Sequence, residues 1–151
     1  MQIKQITQNK KQFLPLLLLG DEQESMIDRY LERGDLFALY DPDCKTICVV
    51  TKEGPGIYEI KNIATSPHAQ RQGYGQKMVQ FVLNYYQPWA HTFLVGTGDS
   101  SLTLSFYQKC GFQVSHRISN FFINHYDHAI YENGKQLIDM IYLKKELSAQ
   151  K

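Results

Sequence analysis

The chain has 151 residues, 43% of them hydrophobic, and 16 lysines and arginines against 15 acidic residues give a formal net charge of +1 at pH 7. That length and apolar content suit one compact domain over 1–151 with a buried core, and the charge balance excludes the strong positive field that gathers nucleic acid or an anionic membrane. The longest apolar stretch, Phe13 to Leu19, covers seven residues and contains Pro15, far short of the roughly 20 that span a bilayer.

The opening residues Met1-Gln2-Ile3-Lys4-Gln5 lack the apolar run of a secretory leader. Cys44, Cys48 and Cys110 are an odd number of cysteines, two of them in one apparent strand, which reads as reduced thiols used as small core residues. A cytoplasmic location is expected.

In chain order, Met1 to Ile6 alternates like a short strand, and Lys10 to Leu19 and Glu22 to Leu31 carry helical apolar spacing around a break at Gly20-Asp21. Leu36 to Tyr40 and Cys44 to Thr51 form a hairpin about Asp41-Pro42-Asp43, and Ile57 to Thr65 is the next strand. Arg71 to Tyr86 is the strongest helix, with Tyr74, Met78, Phe81, Val82 and Tyr85 on one face. Thr92 to Gly96 reads as a strand, Ser101 to Lys109 as a helix closed by Cys110-Gly111, and Phe112 to Arg117 as a strand. Asn120 to Glu132 reads as a long aromatic loop that covers a site, Asn133-Gly134 as a tight turn, and Leu137 to Leu143 as the last strand. The order predicts a mixed α/β domain with a strand-helix-strand-helix-strand unit at its centre.

The segment Gln70-Arg71-Gln72-Gly73-Tyr74-Gly75 lies between a strand and the start of the strongest helix. Such a junction aims unpaired backbone N–H groups and the positive end of the helix dipole at one point, where a pyrophosphate fits. Gly73 and Gly75 remove side chains that would block phosphate oxygens, and Arg71 adds a cation. A glycine turn without a ligand is the plainer alternative. The dinucleotide fingerprint and the P-loop both lack residues they require here.

Gln70-x-x-Gly73-x-Gly75, together with Phe106-Tyr107-Gln108-Lys109-Cys110-Gly111-Phe112, resembles two landmarks of the GNAT family, the Gcn5-related N-acetyltransferases, and the strand order agrees from Met1 to about Leu147. The resemblance implies an α/β fold of mixed α+β type: a central mixed, mostly antiparallel twisted sheet with splayed middle strands and flanking helices. It implies acetyl-CoA as cosubstrate, its pantetheine arm paired to the backbone of Ile63, Ala64 and Thr65. The pyrophosphate is then expected on Gln70, Arg71, Gln72, Gly73, Tyr74, Gly75 and Gln76. The implied reaction is direct attack of a neutral amine on the thioester. Tyr107 matches the family tyrosine beside the sulfur, a proton donor to the thiolate, and a packed core tyrosine is the alternative.

Glu59 stands at the offset where histone acetyltransferases of the family carry their general base; a solvent-facing strand carboxylate is the competing reading. Position 100, where the family often has asparagine, is Ser100, which can still bond the pantetheine but equally suits a helix cap. His125-x-x-His128 lacks a third ligand, and no metal is predicted. Phe121, Phe122, His125, Tyr126, Tyr131 and Glu132 suit an amine pocket, core packing or a homodimer contact. The acceptor is a small-molecule amine or a protein amino group. A module that binds acyl-CoA without turnover is the alternative function, and nucleic-acid binding ranks last.

Overall fold

A computed structural model of the protein describes residues 1–147. Its elements are β1 (Gln2–Ile6), α1 (Leu14–Gly20), α2 (Glu24–Ile27), β2 (Asp35–Tyr40), β3 (Cys44–Gly54), β4 (Ile57–Thr65), α3 (Tyr74–Tyr86), β5 (Thr92–Gly98), α4 (Ser101–Lys109), β6 (Gln113–Ile118), α5 (Phe121–His125), β7 (Tyr131–Glu132), β8 (Lys135–Gln136) and β9 (Met140–Glu146). Seven strands form one sheet in the order β1-β2-β3-β4-β5-β9-β6. Every neighbouring pair is antiparallel except β4 and β5.

Alternation along the strands loads both faces of the sheet. Phe37, Leu39, Cys48 and Val50 point to a cluster completed by Met78, Val79, Val82, Leu83 and Tyr86 of α3 and Tyr107 of α4. Leu36, Ala38, Ile47 and Val49 point the other way, onto Leu17 of α1 and onto Ile27 and Leu31. Leu17 and Ile27 are fully buried, each contributing about 1.5–3 kcal/mol relative to an exposed side chain.

Several sequence expectations are corrected. The predicted helix Lys10 to Leu19 is a 3-10 turn at Lys10–Phe13 followed by α1, with Pro15 in the first turn of the helix, where its missing N–H costs nothing. The predicted helix Glu22 to Leu31 shrinks to α2, after which Arg29 and Tyr30 N–H bond the carbonyls three residues back at 3.1 Å as turns, and Lys10 Nζ donates to the carbonyls of Leu31 at 3.0 Å, Glu32 at 3.2 Å and Gly34 at 2.6 Å at their end. The buried face of α3 is Met78, Val79, Val82, Leu83 and Tyr86, whereas Tyr85 is 40% exposed.

The expected loop 120–132 contains α5 and the strand β7, which pairs with β8 about Asn133-Gly134. Both turn residues have positive φ, 51° and 76°, as the right-handed twist of a two-residue hairpin loop demands. The last strand begins at Met140, later than expected, because Leu137 is buried against Gly98.

Two local features place the site. The parallel pairing of β4 with β5 runs through Ile57↔Thr92, Tyr58↔Phe93, Glu59↔Leu94 and Ile60↔Val95, and stops there. At the same level β3 pairs Val50 with Ile60 but Val49 with Asn62, so Lys61 is an extra residue, a bulge that bends β4 away from its neighbour. Beyond it, Ile63, Ala64 and Thr65 stay paired to Cys48, Ile47 and Thr46 of β3, and their other edge faces an open cleft.

Candidate active site

At the far end of β4 the chain makes a 3-10 turn, Pro67–Ala69, and enters α3 through two left-handed residues, Arg71 at φ 64° and Gly73 at φ 87°. The helix therefore starts at Tyr74, three residues later than the sequence pattern predicts. Alternating left-handed residues turn successive N–H groups toward one concavity, a nest suited to an anion. The first helical bond is Lys77 N–H to Gly73 O at 3.1 Å, so the N–H groups of Tyr74, Gly75 and Gln76 have no helical acceptor.

A Cβ built on Gly73 meets nothing within 4 Å, whereas one on Gly75 lies 3.3 Å from the Phe106 ring. The space before Gly73 is therefore open, and Gly75 brings α3 close to α4. Gln70 Nε2 donates to Thr65 O at 3.1 Å, Gln72 Nε2 to His68 O at 3.2 Å, and Tyr74 OH to Asp41 Oδ2 at 2.7 Å, so these side chains brace the turn while its backbone faces the groove. A cavity of about 460 Å³ lies before it, lined by Thr65, Arg71, Gly73, Gln76, Phe106 and Lys109 among others.

Farther along the cleft a second cavity of about 360 Å³ lies between β4 and β5, lined by Ile60 to Ile63, Val95 to Gly98, Thr103, Tyr107 and Glu132. Tyr107 is 6% exposed. Burial pushes its phenol well above the ordinary value, so it stays protonated. Its position is set by the end of α4: Phe112 N–H donates to Tyr107 O at 3.0 Å and Gly111 N–H to Gln108 O at 3.0 Å, with Gly111 at φ 96°. That paired closure is the Schellman arrangement, and it explains why the Tyr-x-x-x-Gly-Phe spacing matters.

Ser100 precedes α4 as its N-cap residue, buried and without a side-chain cap bond, and its Oγ accepts from Asn133 Nδ2 at 3.3 Å. It is not part of the cavity wall. Thr103 Oγ1 donates to Glu132 Oε2 at 2.8 Å and Lys135 Nζ to Asp99 O at 2.8 Å, strapping the β7–β8 hairpin over the start of α4.

Glu59 is on the opposite side of the sheet from Tyr107, only 5% exposed, so the solvent-facing alternative is excluded. Its Oε2 accepts from Tyr142 OH at 2.9 Å and lies 3.1 Å from Lys61 Nζ. Tyr142 in turn stacks on His116 at 4.9 Å. A third cavity of about 230 Å³ contains Glu59, Lys61, Arg29, Arg33 and Tyr142, and it meets the second at Asp21, Ile60, Lys61, Gly96, Tyr126 and Met140.

Asp21, which the sequence reading passed over as part of a helix break, sits at that junction. Its Oδ2 accepts from Tyr30 OH at 2.9 Å and its Oδ1 from Tyr126 OH at 2.7 Å. Burial raises its pKa above the ordinary 3.8, opposed by those two phenols. Asn62 Nδ2 donates to Tyr30 OH at 3.1 Å and to Leu17 O at 2.9 Å. Only the Gly-Asp pair after an apolar helix hinted at Asp21, and nothing in the sequence pointed to Tyr142. His125 and His128 do not converge on a common ligand position: His125 Nδ1 bonds Phe121 O at 2.9 Å, and His128 Nδ1 lies 2.6 Å from Asp127 Oδ1.

The sheet thus opens between two parallel strands, with a turn suited to an anion at one end of the opening. The Acetyltransferase (GNAT) domain family matches residues 32–114. An "Uncharacterized N-acetyltransferase YvbK" from Bacillus subtilis (strain 168) is 39% identical over 135 residues, 87% of each chain. A GNAT family acetyltransferase from Elizabethkingia anophelis, solved with acetyl-CoA bound, has a TM-score of 0.91 at 34% identity over 97% of both chains. A Bacillus subtilis acetyltransferase in complex with CoA has a TM-score of 0.88 at 35% identity, covering 97% of this chain and 99% of its own. The chain belongs to the GNAT family. It is an N-acetyltransferase that uses acetyl-CoA and acts on an amine acceptor.

Proposed function

We propose that the three cavities form one reaction path, with the cosubstrate entering along the α3 turn and the amine from the Glu59 side of the sheet. The observation that carries this reading is the loss of β4–β5 pairing beyond Ile60 and Val95, which leaves a strand edge for the pantetheine amides. The residues present fit the cosubstrate. The free N–H groups of Tyr74, Gly75 and Gln76 and the open space at Gly73 suit a pyrophosphate, and Arg71 supplies a cation beside it. Ile63 and Thr65 offer backbone groups for strand-like pairing. When bound, acetyl-CoA supplies the activated acetyl group as a thioester.

The chain's own residues divide the remaining work. Glu59 takes the proton from the incoming ammonium, with Tyr142 and Lys61 fixing its carboxylate. The amine nitrogen then attacks directly, with no acyl group resting on the protein. Tyr107 holds a proton in the 360 Å³ cavity, where it meets the departing thiolate of ordinary pKa about 8.5. Burial keeps the phenol protonated but also makes it a weaker acid, so its part is to hydrogen-bond the departing thiolate, and full proton transfer requires the phenolate to be reprotonated from solvent before the next turnover. The acceptor cavity of about 230 Å³ lies below the roughly 300–1,000 Å³ of drug-sized ligand sites, which suits a small amine rather than a bulky one. Release of free thiol from acetyl-CoA in the presence of a panel of small amines tests the assignment. Turnover that Glu59→Gln leaves intact would remove Glu59 from it.

A further inference from the structure

The charges around the acceptor cavity are uneven. Arg33 Nη1 pairs with Glu53 Oε2 at 2.9 Å, and Lys61 Nζ with Glu59 Oε2 at 3.1 Å, so two of the three cations lining this cavity are already matched. Arg29 is not: among the described residues no carboxylate lies within 4.0 Å of it, and its Nη1 reaches only the sulfur of Met26 at 3.4 Å. Arg29 lines the cavity, and its positive charge acts on the Tyr126 phenol, opposing the upward shift that burial gives it.

Asp21 is the complementary case. Its carboxylate is aimed into the junction of the two inner cavities by Tyr30 and Tyr126, with no cation within 4.0 Å among the described residues. A cavity with one unpaired, exposed guanidinium in its wall and, at its inner junction, one carboxylate held by two phenols but by no cation is polarised along its length.

We propose that the acceptor is a small zwitterion, a primary amine that also carries an oxyanion, with the oxyanion on Arg29 and the ammonium drawn past Glu59 toward Asp21 at the junction of the two inner cavities. This rests on the transferase reading above and adds the substrate class. A polyamine fits poorly, because its distal ammonium would meet the unpaired charge of Arg29. A guanidinium suits the role because its planar donors bind a carboxylate or a phosphate through two bonds.

The test compares acceptors in matched pairs by thiol release: phenylalanine with phenethylamine, leucine with isoamylamine, and phosphoethanolamine with ethanolamine. The oxyanion-bearing member of at least one pair is expected to show kcat/KM about tenfold or more above its partner, and the pair that does so tells carboxylate from phosphate. Arg29→Ala should shrink that ratio to near one by raising KM, and Arg29→Lys should retain part of it. Arg29 is exposed, so neither change threatens the fold. Faster turnover of the plain amines, or a ratio untouched by Arg29→Ala, would overturn the proposal and leave the transferase intact. Failure of the wild-type protein to bind acetyl-CoA in the same samples would bring down both.

Discussion

Tyr107 and Asp21 have opposite relations to their surroundings, and each makes a separate prediction. Tyr107 is buried beside a cavity with its phenol held in the protonated form. Tyr107→Phe removes one oxygen and little volume, so acetyl-CoA should bind nearly as before while kcat falls about 10²–10⁴-fold, the usual contribution of a positioned acid. Calorimetric titration and steady-state thiol release on the same samples check this; equal kcat in the two proteins would return Tyr107 to a packing role.

Asp21 has a pKa raised by burial above the ordinary 3.8. Its contribution to stability is therefore fully present below 3.8 and is lost as pH rises through the raised value, because folding then demands a buried anion. Asp21→Asn has no such titration. The unfolding free energy of the wild type minus that of Asp21→Asn should fall as pH rises from below 3.8 to neutrality, measured by urea denaturation. A difference independent of pH would mean that Asp21 is not strained by its burial.

At the scale of elements, the two glycines of the anion turn separate binding from packing. Gly73→Val forces a β-branched residue to φ 87° and fills the open space before the nest, so acetyl-CoA affinity should drop about tenfold or more. Gly75→Val presses instead on Phe106, 3.3 Å from the added Cβ, and should destabilise the fold by about 1–3 kcal/mol as overpacking between α3 and α4. Binding titrations and thermal melts of the two variants should show opposite patterns; matching losses in both would undo this division.

Most of the strands of the large sheet and the two landmark helices were legible in the sequence because each follows a local rule: apolar, β-branched runs bounded by turn residues in β2 and β3, and a glycine after Cys110 that closes α4. What was illegible depends on distant partners. The turns after α2 end at carbonyls that Lys10 bonds from about twenty residues upstream, and the late start of α3 comes from a left-handed Arg71 that no propensity favours. Glu59 was singled out only through the GNAT resemblance, which places a general base at its offset from the turn. Asp21 was missed because its partners Tyr30 and Tyr126 come from two separate segments.

For the whole molecule, binding should register as stability. Acetyl-CoA at about 100 times its dissociation constant adds roughly 2.7 kcal/mol, which for a chain of this size raises Tm by about 5–11 °C at 2–4 °C per kcal/mol. A thermal-shift titration reads this directly, and no rise at millimolar ligand would contradict the assigned cleft. Two cores share the load, one under α3 and α4 and one under α1.

Between them, β1 to β4 and β5, β9 and β6 make two leaves joined in the sheet along only the four residue pairs from Ile57 to Ile60. The seam is short where a continuous sheet would be long, so the two leaves can lose cooperativity at the cleft proposed above for the cosubstrate. A bound pantetheine then acts as a stitch across them. Amide hydrogens of β5 should exchange faster than those of β3 in the free protein, and the two rates should converge once the seam is closed.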